Sequence, residues 1–177
     1  MMVRRIVLLL LLFLVFVWEG TIVPWLIPDA MHGRLIPHLT YILILFVSIY
    51  YHRHTALALG LIFGLLHDVV FYGDMIGAYA FAMGLSAYVL GLLFQSPRAP
   101  YPLMMTVVLI GSLLLDHLLY GIYLVFGLTR EPYAWALGQY IFPNLLLHFI
   151  FALVIFIPVR RQLEKVAKLR KRAAEEE

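Results

Sequence analysis

The sequence predicts an all-α fold, a compact bundle of six transmembrane helices with both termini on the cytoplasmic side. Three observations carry this reading. First, 64% of the 177 residues are hydrophobic, only 13% are charged, and the mean hydropathy is +0.95. A soluble domain carries about 25% charged residues. Second, the apolar runs are long enough for helices of about 20 residues, and barrel strands are much shorter. Third, with the N-terminus inside, eleven of the thirteen Lys and Arg residues fall on one side. Positive charge beside apolar segments reports orientation.

Six spans and a basic tail leave no room for a folded soluble domain. The chain divides into a membrane domain, residues 1–158, and a cytoplasmic helical tail, residues 159–177. There is no cysteine, so thiol chemistry and Fe–S ligation are excluded. The net charge of +3 sits mainly at span ends, which argues for topology and against nucleic acid.

Segment 1, about residues 3–22, follows Arg4 and Arg5 and ends at Trp18 and Glu19. No small-x-small cleavage site follows it, so it reads as an uncleaved span. Residues 23–37 contain three prolines and Gly33 and form a loop long enough to matter for binding. Segment 2, about 35–51, ends at His52 and His54, a hydrated interfacial turn in preference to a metal site.

Segment 3 is the central stretch, residues 56–73. Gly60, Gly64, Asp68 and Tyr72 recur every four residues, which stacks them along one helix side. The glycines admit a neighbouring helix, and the carboxylate then sits in that contact, where a charge needs a partner. Segment 4, about 77–95, spaces Gly77, Ala80, Gly84, Ala87 and Gly91 three and four apart. This small-residue seam suits tight packing within the bundle or across a homodimer, with a ligand groove as the alternative.

Segment 5, about 103–128, echoes segment 3. Asp116, Tyr120 and Gly121 match Asp68, Tyr72 and Gly73 at an offset of 48 residues. Segment 6, about 134–158, carries Asn144 and His148 on one side, with a kink expected at Pro143. Asp68, Asp116, Asn144 and His148, with His67, Tyr72 and Tyr120 close by in sequence, are expected to form an intramembrane polar cluster in the outer half. Three readings of it compete. The first is a structural clasp, the second a site for a partner or ligand, and the third a proton relay, for which no polar path leads inward. Two Asp and a His also invite acid–base or metal readings. No HExxH, Gly-x-Ser-x-Gly or phosphate loop supports an enzyme, and no metal or cofactor is expected. In the tail, Arg160, Arg161, Lys165, Lys168 and Arg170 are placed to bind anionic lipid or a docking partner.

The run from Gly60 to Asp68, followed by Gly77 to Tyr88, resembles the core of the rod shape-determining protein MreD family. The Leu-rich first span, the fifth span with Asp116 and the basic tail extend the resemblance over most of the chain. The resemblance implies a non-enzymatic, multi-pass protein of the bacterial cytoplasmic membrane that acts as a scaffold in cell elongation and peptidoglycan synthesis. It implies an MreC-like bitopic partner, and with it an MreB-like filament, a RodA-like glycosyltransferase and a class B penicillin-binding protein. It also implies a fold similar to the substrate-binding components of energy-coupling-factor vitamin transporters. Such a component is the alternative identity, against which the alanine-free first segment counts.

Overall fold

In a computed structural model the described residues are 2–28, 35–71, 73 and 75–175, with backbone alone for 2–5 and 164–175. Tyr72, one of the expected cluster residues, lies outside them, as do the side chains of Lys165, Lys168 and Arg170. Eight α-helices follow in order: α1 (Met2–Thr21), α2 (Val23–Leu26), α3 (Leu39–Tyr50), α4 (Arg53–Val70), α5 (Ala78–Phe94), α6 (Tyr101–Val125), α7 (Tyr133–Ala136) and α8 (Phe142–Glu175). No strand occurs among the described residues.

The axis of the bundle is α3. All twelve of its residues are buried, and it packs against α1, α4, α5, α6 and α8. A helix apolar all round has no water-facing side and belongs in a core or a membrane. Its few polar groups tie it to its neighbours. The Tyr41 hydroxyl lies 2.8 Å from Ser86 Oγ and 3.1 Å from the Gly111 carbonyl oxygen. Ser48 donates to the Ala87 carbonyl at 2.6 Å, and Tyr50 to that of Ala99 at 3.0 Å.

The closest helix pair is α4 with α5. A Cβ added at Gly60 would lie 2.7 Å from Gly84 Cα, and one at Gly64 would lie 2.5 Å from Ala80 Cα. Gly91 faces Ser48 and Arg53, so its lack of a side chain admits α3 and the start of α4. Gly77 does something else. It has open space around it and takes φ +100° as the residue preceding α5, a left-handed conformation that glycine adopts at no steric cost.

Among the described residues, three helical runs are long and apolar enough to cross a membrane: Arg53–Val70, Tyr101–Val125 and Tyr133–Leu163. Three apolar helices are shorter: Ile6–Thr21, Leu39–Tyr50 and Ala78–Phe94. The second predicted segment is therefore only partly helical. Pro37 stands in it, and the residue before a proline is pushed to extended backbone. Residues 35–38 are accordingly not helical, and α3 begins at Leu39.

The irregularity expected near Pro143 takes the form of a π turn at Leu137–Ile141, between α7 and α8. Proline has no N–H to give the carbonyl four residues earlier, at Gln139, and the ladder widens there. Pro158, where the membrane domain was expected to end, lies inside α8, which runs on into the tail without a break.

Candidate functional site

The polar interior has three parts, each built from groups that one helix leaves unsatisfied and another supplies. The first is the N-terminus of α5. The opening N–H groups of any helix lack partners within it. Gly77 has no side chain to cap them. Asp68, from the last turn of α4, does so across the helix pair. Its Oδ2 accepts from Gly77 N at 2.9 Å and Ala80 N at 3.2 Å, and its Oδ1 from Tyr79 N at 3.1 Å. The carboxylate also lies at the positive end of the α5 dipole. It is 1% exposed, and the Gly64–Ala80 contact brings it into range.

The second part is the non-helical segment 35–38, bonded to α8. Ile36 N donates to Asn144 Oδ1 at 2.9 Å, and His38 N to His148 Nε2 at 3.0 Å. The register is geometric. Four residues on a helix rise about 6 Å, within the reach of about 7 Å that two residues of chain have at most. Pro37 between them has no N–H, so both donors available from 36 to 38 are used. Because His148 Nε2 accepts, Nδ1 carries the proton and donates to Ser112 Oγ, 3.0 Å away on α6. Replacing His148 with Phe keeps the bulk and removes the acceptor. Amide exchange at His38 is then expected to rise about tenfold or more, the equivalent of one lost hydrogen bond at a buried donor. Hydrogen-exchange mass spectrometry of the peptide covering 35–40 measures it; an unchanged rate would show that the segment is held by something else.

The third part joins α1, the start of α3 and α4. Glu19 Oε2 accepts from Thr40 N at 2.9 Å and Thr40 Oγ1 at 2.8 Å. Its other oxygen, Oε1, stands 3.7 Å from His67 Nε2. The His67 ring stacks on Tyr79 with centroids 4.2 Å apart, and His38 packs beside both at 5.3 Å and 5.2 Å.

Beside these parts lies a partly open cavity of about 330 Å³. Its walls include His38, Tyr79, Asp116, Tyr120, Trp135 and Asn144. Asp116 Oδ2 is buried without a hydrogen-bond partner. Tyr120 donates to the Glu131 carbonyl at 2.9 Å, closing the loop after α6 over this side.

The four residues expected to converge thus take separate partners. Asn144 and His148 hold one segment, Asp68 caps α5, and Asp116 faces the cavity. The echo between Asp68 and Asp116 does not extend to their surroundings, since one carboxylate has three N–H partners and Asp116 Oδ2 has none. His38, Thr40 and Tyr79 stand outside the cluster that the sequence suggests, and Glu19 enters there only as the end of segment 1. Glu19 carried a signal as an acidic residue at the end of an apolar helix. His38 carried one as a histidine directly ahead of a wholly apolar run. In the tail, Arg160 lies over the Phe156 ring, 5.6 Å from its centroid, and Arg161 is exposed.

The family model of the rod shape-determining protein MreD matches residues 2–166. No curated protein and no solved structure matches the chain.

Proposed function

Because the chain belongs to the MreD family of rod shape-determining proteins of the bacterial inner membrane, we propose that it is a non-enzymatic scaffold of the cell-elongation machinery. It binds an MreC-like bitopic partner and helps to position the wall synthases, a RodA-like glycosyltransferase with its class B penicillin-binding protein. The family functions with the MreC and MreB shape machinery. The observation that carries the proposal is the family match, which runs from α1 into α8. The polar interior supports a structural role for its carboxylates and histidines. Asp68, Asn144 and His148 accept from backbone N–H groups of other segments.

The proposal includes six spans with both termini in the cytoplasm. Twelve helical residues of α3 rise about 18 Å, and the four non-helical residues ahead of them can reach at most about 13 Å further. Together they match a hydrocarbon core of about 30 Å. Non-helical backbone at that depth persists only where protein satisfies it, which is the service Asn144 and His148 perform. Apolar side chains such as Leu10, Leu14, Leu146 and Val154 are more than half exposed and face lipid or a membrane partner. Arg160, Arg161, Lys165, Lys168 and Arg170 anchor the inner end at anionic headgroups.

Affinity purification from native membranes tests the proposal. An MreC-like protein is expected to co-purify, and its absence together with an unrelated stoichiometric partner would overturn the scaffold role. The cavity favours one second reading, a vitamin-type transporter component. It has the size of a small-ligand pocket, with aromatic walls and one carboxylate oxygen, Asp116 Oδ2, without a hydrogen-bond partner. Mass spectrometry of the denatured preparation decides between them. No bound small molecule is expected, and a stoichiometric one reverses the order.

A further inference from the structure

Glu19, His38 and His67 come from three different elements, yet each offers one ligand atom within 4.8 Å of the other two. Their exposures are 3%, 2% and 6%. Each also keeps a buried polar atom with no hydrogen-bond partner: Glu19 Oε1, His38 Nδ1 and His67 Nδ1. Buried polar atoms are nearly always paired, so three clustered ligand-type side chains that each keep an unpaired atom point to a missing partner. Glu19 and His67 approach one another without a hydrogen bond. The distance of 3.7 Å between Glu19 Oε1 and His67 Nε2 is too long for a hydrogen bond. A single cation satisfies lone pairs arriving from several directions.

The surroundings hold these side chains in place. Thr40 fixes the other oxygen of Glu19 through its N–H and its hydroxyl. The His38 backbone is held on His148, and the His67 ring is stacked on Tyr79. Supports of this kind orient ligands around a metal. His38 and Tyr79 also line the cavity, which gives an ion a way in and brings the Asp116 carboxylate to the same space. Two imidazoles and one carboxylate suit zinc, whereas magnesium and calcium favour oxygen ligands throughout.

We propose that Glu19, His38 and His67 form a binding site for a divalent transition-metal ion of the zinc type. The ion joins α1, the entry to α3 and α4 at one point. Bonds of about 2.0–2.2 Å require the three side chains to close slightly around it. This site stands independently of the scaffold role.

The test uses the full chain with a histidine-free tag, purified in detergent, stripped with a chelator and titrated with zinc. One equivalent per chain is expected after gel filtration, with a rise in melting temperature. Glu19→Gln and His67→Gln are expected to bind at least tenfold more weakly and to lose that rise. A double variant with His52→Asn and His54→Asn, at the start of α4, is expected to bind as the unaltered protein does. Zinc retained by Glu19→Gln but lost from the double variant would overturn the site, as would binding far below one equivalent. Cobalt(II) on the unaltered protein gives a readout that does not depend on how the variants fold. The visible bands of a low-coordinate nitrogen–oxygen site are expected, and the spectrum of hydrated cobalt would overturn the proposal.

Discussion

Asp68→Leu is expected to destabilise the protein by about 3–6 kcal/mol and to remove it from complexes with an MreC-like partner. Leu has similar bulk but accepts no hydrogen bond. The N–H groups of Gly77, Tyr79 and Ala80 then lose their acceptor at once. Each buried donor left unpaired costs about 1–3 kcal/mol, and the favourable charge at the helix N-terminus is lost as well. Against a total stability of about 5–15 kcal/mol this is a large share. Asp68→Asn keeps one acceptor oxygen and turns an amide toward the remaining N–H groups, so a smaller loss of about 1–3 kcal/mol is expected. Thermal unfolding in detergent and co-purification read the two effects separately. An unchanged melting temperature and an unchanged complex for Asp68→Leu would remove the capping role. Three of the roughly four lone-pair positions of this carboxylate are already taken, which leaves it little capacity for chemistry.

Gly64→Ala is expected to lower the melting temperature by about 5–10 °C, the equivalent of about 1–3 kcal/mol or more of overpacking. The added Cβ would stand 2.5 Å from Ala80 Cα and 2.6 Å from the Tyr79 carbonyl oxygen, all backbone or Cα atoms that no rotamer change moves away. Carbon atoms pack at about 3.5–4.0 Å, so α4 and α5 must part by about 1 Å. Ala80 and Tyr79 also donate to Asp68, so the same displacement stretches the cap. Gly121→Ala on α6 is the control. Nothing lies within 4 Å of a Cβ there. Alanine is the better helix former by about 1 kcal/mol, so an unchanged or higher melting temperature is expected. Equal behaviour of the two variants would show that the α4–α5 contact is not limiting.

Much of the helix order is legible in the composition and spacing. The run of apolar residues from Ala56 and the four-residue spacing of Gly60, Gly64 and Asp68 require a helix with a close neighbour. The small residues of the next segment are what such a neighbour needs. The site is less legible. Asp68 announces that it needs a partner, but backbone N–H groups are the same in every residue and leave no mark in a sequence. His38 and Thr40 sit beside an apolar run and look like the ordinary edge of a span. Their partners, His148 and Glu19, are far away in the chain.

The central stretch with Asp68 thus carries in its own letters the demand for a tight helix pair and a paired carboxylate. Composition by itself determined a helical membrane protein, because water-soluble domains cannot carry so few charges. Only the tertiary structure decided that α3 is the axis, that the non-helical residues 35–38 bond to α8, and that Glu19 meets His67. The reason is physical. Lipid is as apolar as leucine, so hydropathy alone does not tell a helix surrounded by protein from one surrounded by lipid. Polar pairing inside the bundle depends on which helices meet and at what height. Those are properties of the packed whole.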